Sequence, residues 1–454
     1  MRKKYIAKLV NRGLVGIIFS LIICSVLMIG AMANEETVYE ITANIIGPGP
    51  IGIKKAENIE LAANELNRIL ENAGAAIRVK VTVDFSPLKW DEFADKFYMD
   101  FKAGQAPDIF TLRNMVELAK GGFIISLDDH VKSFWDSNYY DFYPNLWESA
   151  TWDNKVWGIP HDISPTGVWY RKDVLRKLGY SDEDIVKLLP PDGSTTLGKL
   201  AELAKKAVDA GLVEYGILHR PSSGSGFYGI LLVFGAEAYN INTDSLVLNK
   251  SAMLNMYKWH ADMVKARVIP PEPPSWSTIH GTFIEGKTFC TMASHVGTPA
   301  EWKEVYGLTD EALENDIGFL PFPPAVEGLN PVSVHDFPLY FVSSQSKHPE
   351  IAALLIMFAT SPQACAIHSE YSMRPPYRTS GLYYPTIAQI EYIQRIAPSA
   401  KTVRPVPTHA DFWTYMNRAF DALKGVEAGI ITPAQAVSDL ESFAATLEGM
   451  EVKD

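Results

Sequence analysis

Cysteine is nearly absent, with three in 454 residues. Cys24 falls in an apolar N-terminal run, which leaves Cys290 and Cys365 in the body of the chain. So small a number excludes a disulfide framework, and the expectation is two separate buried thiols. Positive charge is also short: 41 Lys and Arg face 53 Asp and Glu, a net charge of −12. Phosphate contact needs clustered Lys and Arg, so nucleic acid is not an expected partner. Catalytic signatures are missing too. There is no G-x-S-x-G, no H-E-x-x-H, no P-loop and no clustered Cys/His set, so neither a cofactor nor a metal is expected. The chain also shows no internal repeat and no low-complexity tract.

What is present begins with a leader. Arg2, Lys3, Lys4, Lys8 and Arg12 precede an apolar run from Leu14 to Gly30, which ends in Ala31, Met32 and Ala33. A basic region, an apolar region and a small-x-small end predict a signal peptide over residues 1–33, cleaved after Ala33. An uncleaved anchor is the alternative, because a spanning helix takes about 20 apolar residues. Ile23 is too bulky for the residue before a lipidated cysteine, so lipid anchoring at Cys24 is not expected. Without a twin arginine, export of a folded, cofactor-loaded protein is not expected either. Loss of 1–33 removes five positive charges and no acid, which takes the net charge from −12 to −17 over 421 residues. The expected compartment is periplasmic or extracellular.

Hydrophobic residues make up 47% of the chain, ample for a core, and the length suggests two or more domains. Val38–Ile46 alternates as a strand. A Gly/Pro loop follows, then residues 54–72, whose apolar positions 59, 62, 63, 66, 69 and 70 keep helical spacing. Strand 77–85, helix 90–103, strand 107–110 and helix 115–120 continue the pattern. After residue 175 the alternation resumes with helix 197–210, strand 215–218, helix 252–266 and strand 289–292. A strand at 339–342, a helix at 349–360 and a helical stretch from Phe412 onward complete it. Strands alternating with helices predict an α/β fold with parallel sheet.

Gly47-Pro-Gly-Pro-Ile-Gly52 matches G-x-G-x-x-G between a strand and a helix. Pro48 and Pro50 remove N–H groups that a pyrophosphate would need. The first acid at the end of the next strand, Asp84, lies 32 residues beyond Gly52, against about 20 expected. The segment therefore reads as a tight turn. His161–Asp162 and His335–Asp336 are adjacent pairs, and neighbours on a strand point to opposite faces, so neither forms a ready acid–base dyad. Paired carboxylates for glycoside hydrolysis stay open, since their separation is set in space.

Aromatic residues are plentiful: ten Trp, 20 Tyr and 21 Phe. Sugar rings pack their C–H faces on flat aromatic rings, while their hydroxyls need directional donors and acceptors. Any single Trp is nonetheless expected to be a core or surface residue.

The segment Trp152–Leu175 places a polar turn before a short strand ending at Pro160, then a non-periodic link, then a new strand from Gly167. Its wording resembles family 1 extracellular solute-binding proteins, the sugar-binding subunits of ABC importers. Ala103–Phe110, Leu118–Asp129, Phe283–Met292 and Ser346–Ala353 are similar to further family segments and occur in the family order. The chain departs at Thr195-Thr196-Leu197, where Thr-Trp is usual, and at Arg171, where Asn is usual.

The resemblance implies a type II periplasmic-binding-protein fold, with two α/β lobes of discontinuous segments closing on ligand about a hinge. The implied N-terminal lobe is 34–162 and 322–372. The C-terminal lobe is 163–321 and 373–454, with the second crossing at Ile317–Pro321. It implies a carbohydrate ligand (a mono- or oligosaccharide), membrane permease partners, a monomer and no catalysis. By position, the implied ligand contacts are Arg113 and Asn114, His161 and Asp162, Arg220 and Ser223, Ser294, His295 and Trp302, and Arg374. Pro405–Tyr415 resembles the segment of maltose-binding members that ends in a sugar-stacking Trp, which makes Trp413 the foremost candidate. Its alternative is helix packing on Phe420 or Leu423. Trp157, Trp169 and Trp276 are further candidates. Other readings are the same fold holding a polyamine, a metal or another small solute, a secreted carbohydrate-active hydrolase, and a sensor subunit feeding a chemoreceptor.

Overall fold

The computed structural model describes residues 36–454 apart from 47–49, 89, 241–242 and 336–337. The leader at 1–33, the start of the Gly47–Gly52 turn and Asp336 lie outside the described residues. Among the described residues, no single helix is long and apolar enough to cross a membrane. The chain divides into two units, each assembled from separated segments.

Unit 1 takes the chain up to Phe142, then Ala150–His161 and Pro338–Cys365. Thr37–Ile46 runs parallel to Ile77–Ser86 over its whole length, from Thr37 opposite Ile77 to Ile46 opposite Ser86. On its other side it pairs in parallel with Ile109–Leu112. Leu339–Val342 then adds antiparallel, and Ile159–Pro160 closes the sheet. Burial alternates along Ile77–Ser86, whereas Ala43–Ile46 is buried without a break. That contrast is expected of an edge strand beside an interior one covered on both faces. The first helix begins at Pro50, where a missing N–H costs nothing. Asn67 on that helix holds both backbone groups of Val79 at 2.8 Å, fixing helix to strand.

Unit 2 takes Tyr143–Ser149, Asp162–Phe337 and Ala366–Asp454. Its central sheet runs in the order Ile317–Leu320, Val168–Arg171, Thr288–Thr291, Tyr215–Leu218. The last two strands are parallel, and the other pairings are antiparallel. Leu197–Asp209 shows why the flanking helices form. Thr196 caps it by accepting from the Lys199 N–H, and Leu197, Leu200, Ala201, Leu203, Ala204 and Ala207 give one buried stripe. The stripe on Phe412–Glu427 runs through Tyr415, Met416, Ala419, Phe420, Leu423 and Val426, and it carries the acid Glu427 inside with it.

The chain does not leave unit 2 at Ile317–Pro321. That strand is fully paired with Val168–Arg171. Phe322 exchanges both backbone hydrogen bonds with Val332 and is buried in the unit 2 core. The chain next passes to unit 1 at Pro338 and returns at Ala366. Both thiols are buried, Cys290 in unit 2 and Cys365 in unit 1. Leu203 is completely enclosed, so Leu203→Ala is expected to lower stability by about 2–5 kcal/mol in urea unfolding. A loss under about 1 kcal/mol would contradict the packing described.

Candidate functional site

The parallel strands of unit 2 direct a set of polar side chains to one end. Ligands of open α/β sheets gather outside the carboxyl ends of parallel strands. Arg220 and Ser223 follow Tyr215–Leu218, and Ser294 and His295 follow Thr288–Thr291.

The Arg220 guanidinium lies 4.8 Å from the Trp276 ring centroid. Trp276 donates its indole N–H to Ser222 Oγ at 3.0 Å, yet it remains 40% exposed. Its ring is therefore held from one side and from its edge while much of its surface meets solvent. Gly224 lets the chain approach Arg220 closely. It has φ of 151°, and a Cβ there would sit 2.9 Å from Arg220 Nη2. Ser223 Oγ is buried with no hydrogen-bond partner among the described residues.

His280, at the start of helix Ile279–Ile284 and four residues past Trp276, places Nδ1 3.3 Å from Ser294 Oγ. Burial, then the charge of Arg220, pushes His280 down to about 4. His295 is held well below the ordinary imidazole range by burial and by Arg374, His335 and Arg220. Its Nδ1 accepts the Gly297 N–H at 3.1 Å, so the neutral ring carries its proton on Nε2. His335 is oriented in the same way, with Nδ1 accepting the Ser164 N–H at 2.9 Å.

Asp162 is fully buried, and its carboxylate takes His368 Nε2 at 3.0 Å on one oxygen and Arg374 Nη1 on the other. Arg374 also packs on Gly297, where a Cβ would fall 2.6 Å from Nε. Asp162 thus acts on the site by orienting Arg374. Trp302 is completely enclosed with Trp169 and Phe283, with ring centroids at 5.1 and 5.2 Å. Trp413 is half-buried at the start of its helix, packed on the unit 2 core with its ring 5.1 Å from Phe412.

In unit 1, Arg113 and Asn114 follow the carboxyl end of Ile109–Leu112. Asn114 is exposed in the left-handed region at φ of 60° and bonds Glu117. His161 is buried and stacked on Tyr340 at 3.9 Å, and Tyr340 donates to the Lys55 carbonyl. Trp157 is half-buried and donates its indole N–H to the Trp152 carbonyl.

Ser222, His280 and His368 were not legible as site residues in the sequence, and His335 stood out there only as half of an adjacent His–Asp pair. For His280 the signal available was its spacing of four residues from Trp276.

The family model of the bacterial extracellular solute-binding proteins matches residues 70–364. The chain belongs to this family. The galactooligosaccharide-binding protein of Bacillus subtilis is 25% identical over 371 residues, covering 77% of this chain and 78% of the relative. The maltodextrin-binding protein MdxE of the same organism is 22% identical over 374 residues, covering 79% and 82%. Among solved structures, the sugar-binding protein MalE of Xanthomonas citri matches with a TM-score of 0.73 at 17% identity, over 89% of this chain and 96% of that one. The fold is thus the α/β periplasmic-binding-protein fold of MalE, as the resemblance implied. A solute-binding protein of this family captures a solute and is not an enzyme.

Neutral His280 and His295 have a consequence in acid. Below about 6.5 the unfolded chain takes up protons that these folded rings refuse, so stability present above that value falls with pH. For His280 the loss accrues down to about 4. Urea unfolding from neutral pH to about 4 is expected to show this slope, reduced in His280→Gln. An identical slope in the variant would contradict a neutral His280.

Proposed function

We propose that the protein captures a carbohydrate outside the cytoplasm and delivers it to the permease subunits of an ABC importer. Oligosaccharides are favoured over single sugars, because the two curated relatives carry names of oligosaccharide binders. The observation that carries this reading is Trp276, an exposed indole fixed by Arg220 and Ser222. A flat ring held still takes the C–H face of a sugar with little loss of side-chain freedom. Imidazoles oriented as donors, serine hydroxyls and guanidinium groups suit the sugar hydroxyls.

The proposed unit 2 contacts are Trp276, Arg220, Ser223, Ser294, His295 and Arg374, with Trp413 as a second aromatic platform. Arg113, Asn114 and His161 are the proposed contribution of unit 1. Capture proceeds by hinge closure, in which the ligand favours the closed state by its differential affinity. The leader is removed after Ala33, and the protein works as a monomer.

Titration calorimetry against maltodextrins and galactooligosaccharides tests the reading. At least one is expected to bind and to be recovered intact, and Trp276→Ala weakens it by about 10–100-fold without loss of fold. Binding by no carbohydrate in the panel, or turnover of the bound sugar, would sink the proposal.

A further inference from the structure

Beneath Arg220 lies a buried cluster to which nothing in the capture of a solute assigns a role. His219 precedes Arg220 and is 2% exposed. Its Nδ1 is 2.8 Å from the Arg220 carbonyl oxygen, and its Nε2 is 2.9 and 3.0 Å from the two carboxylate oxygens of Glu427. On the far side, His260 Nδ1 lies 2.7 Å from Glu427 Oε1.

A carbonyl oxygen only accepts, and so does an ionised carboxylate. Each ring nitrogen of His219 faces such an acceptor, so both must carry protons. A neutral His219 would turn a lone pair on the carboxylate or leave the carbonyl without its donor. The buried carboxylate likewise needs a counter-charge, because an isolated one costs far more than a paired one. Burial favours the neutral forms, but Glu427 outweighs it at His219, whose pKa is raised. At Glu427 the two imidazoles outweigh burial and hold the carboxyl down to about 2. His260 is pushed down, by burial first, and donates as a neutral ring. The helix adds to the case. Glu427 is the last residue of Phe412–Glu427, where the dipole disfavours an anion and favours a cation.

We propose that His219 is a permanent imidazolium and the positioning residue for Arg220. It ties the Arg220 carbonyl to the buried Glu427, and thereby sets the turn 220–224 that holds the guanidinium against Trp276. The three elements meeting there are the loop after Tyr215–Leu218, helix Lys250–Lys265 and the end of helix Phe412–Glu427. The titratable groups they bring to His219 are Glu427 and His260. Ligand affinity then depends on an ion pair that does not touch ligand. This inference rests on the carbohydrate-binding reading for its effect on affinity, but not for the charge state of His219.

The same three side chains resemble a His/His/carboxylate metal set, with donor atoms within 4.8 Å of one another. Ligands about 2.0–2.1 Å from a tetrahedral zinc stand roughly 3.3 Å apart. The 2.7 and 2.9 Å contacts of Glu427 Oε1 are instead those of N–H donors.

Two measurements on the full chain decide the matter. Long-range ¹H–¹⁵N correlation of the histidine rings at about pH 8 is expected to show both His219 nitrogens protonated. A neutral tautomer there, or one equivalent of zinc in the purified protein by elemental analysis, overturns the proposal. In Glu427→Gln the side chain keeps its shape and loses its charge, so burial is left to favour the neutral ring and His219 gives up its proton at neutral pH. Affinity for the carbohydrate found with the wild type is expected to fall about tenfold at neutral pH and to recover in part as acid below about 6.5 protonates the ring, a recovery that the wild type does not show. Unchanged affinity with a flat pH profile also overturns it. If the wild type binds no carbohydrate, the functional reading fails while the ring measurement still decides the charge of His219.

Discussion

Carboxylates withdrawn from water organise unit 2. Asp162 and Glu427 are both buried, and a charge in that setting is tolerable only when paired and hydrogen-bonded. Asp162 meets this with His368 and Arg374, joining the start of its segment to helix Pro362–Ser372 and the loop beyond it. Glu427 meets it with His219 and His260. Each acid thereby anchors an arginine of the site, Arg374 directly and Arg220 through the backbone of the residue after His219. Losing one partner of such a pair costs about 3–5 kcal/mol because the other charge stays buried. The arginines inherit that rigidity.

The sheets and helices were legible where periodicity was strong. Tyr215–Leu218 and Met115–Lys120 form where the pattern put them, and Leu197–Asp209 ends one residue short. The strand expected at 107–110 instead spans Ile109–Leu112, because pairing with Leu339–Val342 sets its limits and that partner lies far away in sequence. Ile317–Pro321 looked like a crossing for a related reason. A short apolar strand ending at proline reads the same whether it leaves a unit or completes its sheet, and only the ladder with Val168–Arg171 decides.

The polar groups were less legible. His161 and Asp162 were expected to face opposite ways; His161 stacks on Tyr340 in unit 1, and Asp162 pairs with His368 and Arg374 in unit 2. Position in a motif brought Trp413 and Trp302 forward and left Trp276 among the further candidates, yet burial reverses that order. Trp302 is enclosed, Trp413 half-buried and Trp276 exposed. Sequence carries the type of a side chain but not the neighbours that cover it. Glu427 was hidden for the opposite reason: it continues an apolar stripe through Leu423 and Val426, where an acid is not expected.

Recognition of a neutral, hydroxyl-rich ligand calls for donors whose direction is fixed before the ligand arrives. The Nδ1 contacts of His295 and His335 fix their rings, Gly297 and Gly224 admit the two arginines, and Ser222 and Arg220 hold Trp276. The most direct test is a crystal structure of the protein with a bound maltodextrin or galactooligosaccharide. The account predicts a sugar ring stacked on the exposed surface of Trp276 with its hydroxyls bonded by Arg220. A sugar bound with Trp276 and Arg220 both untouched would contradict it.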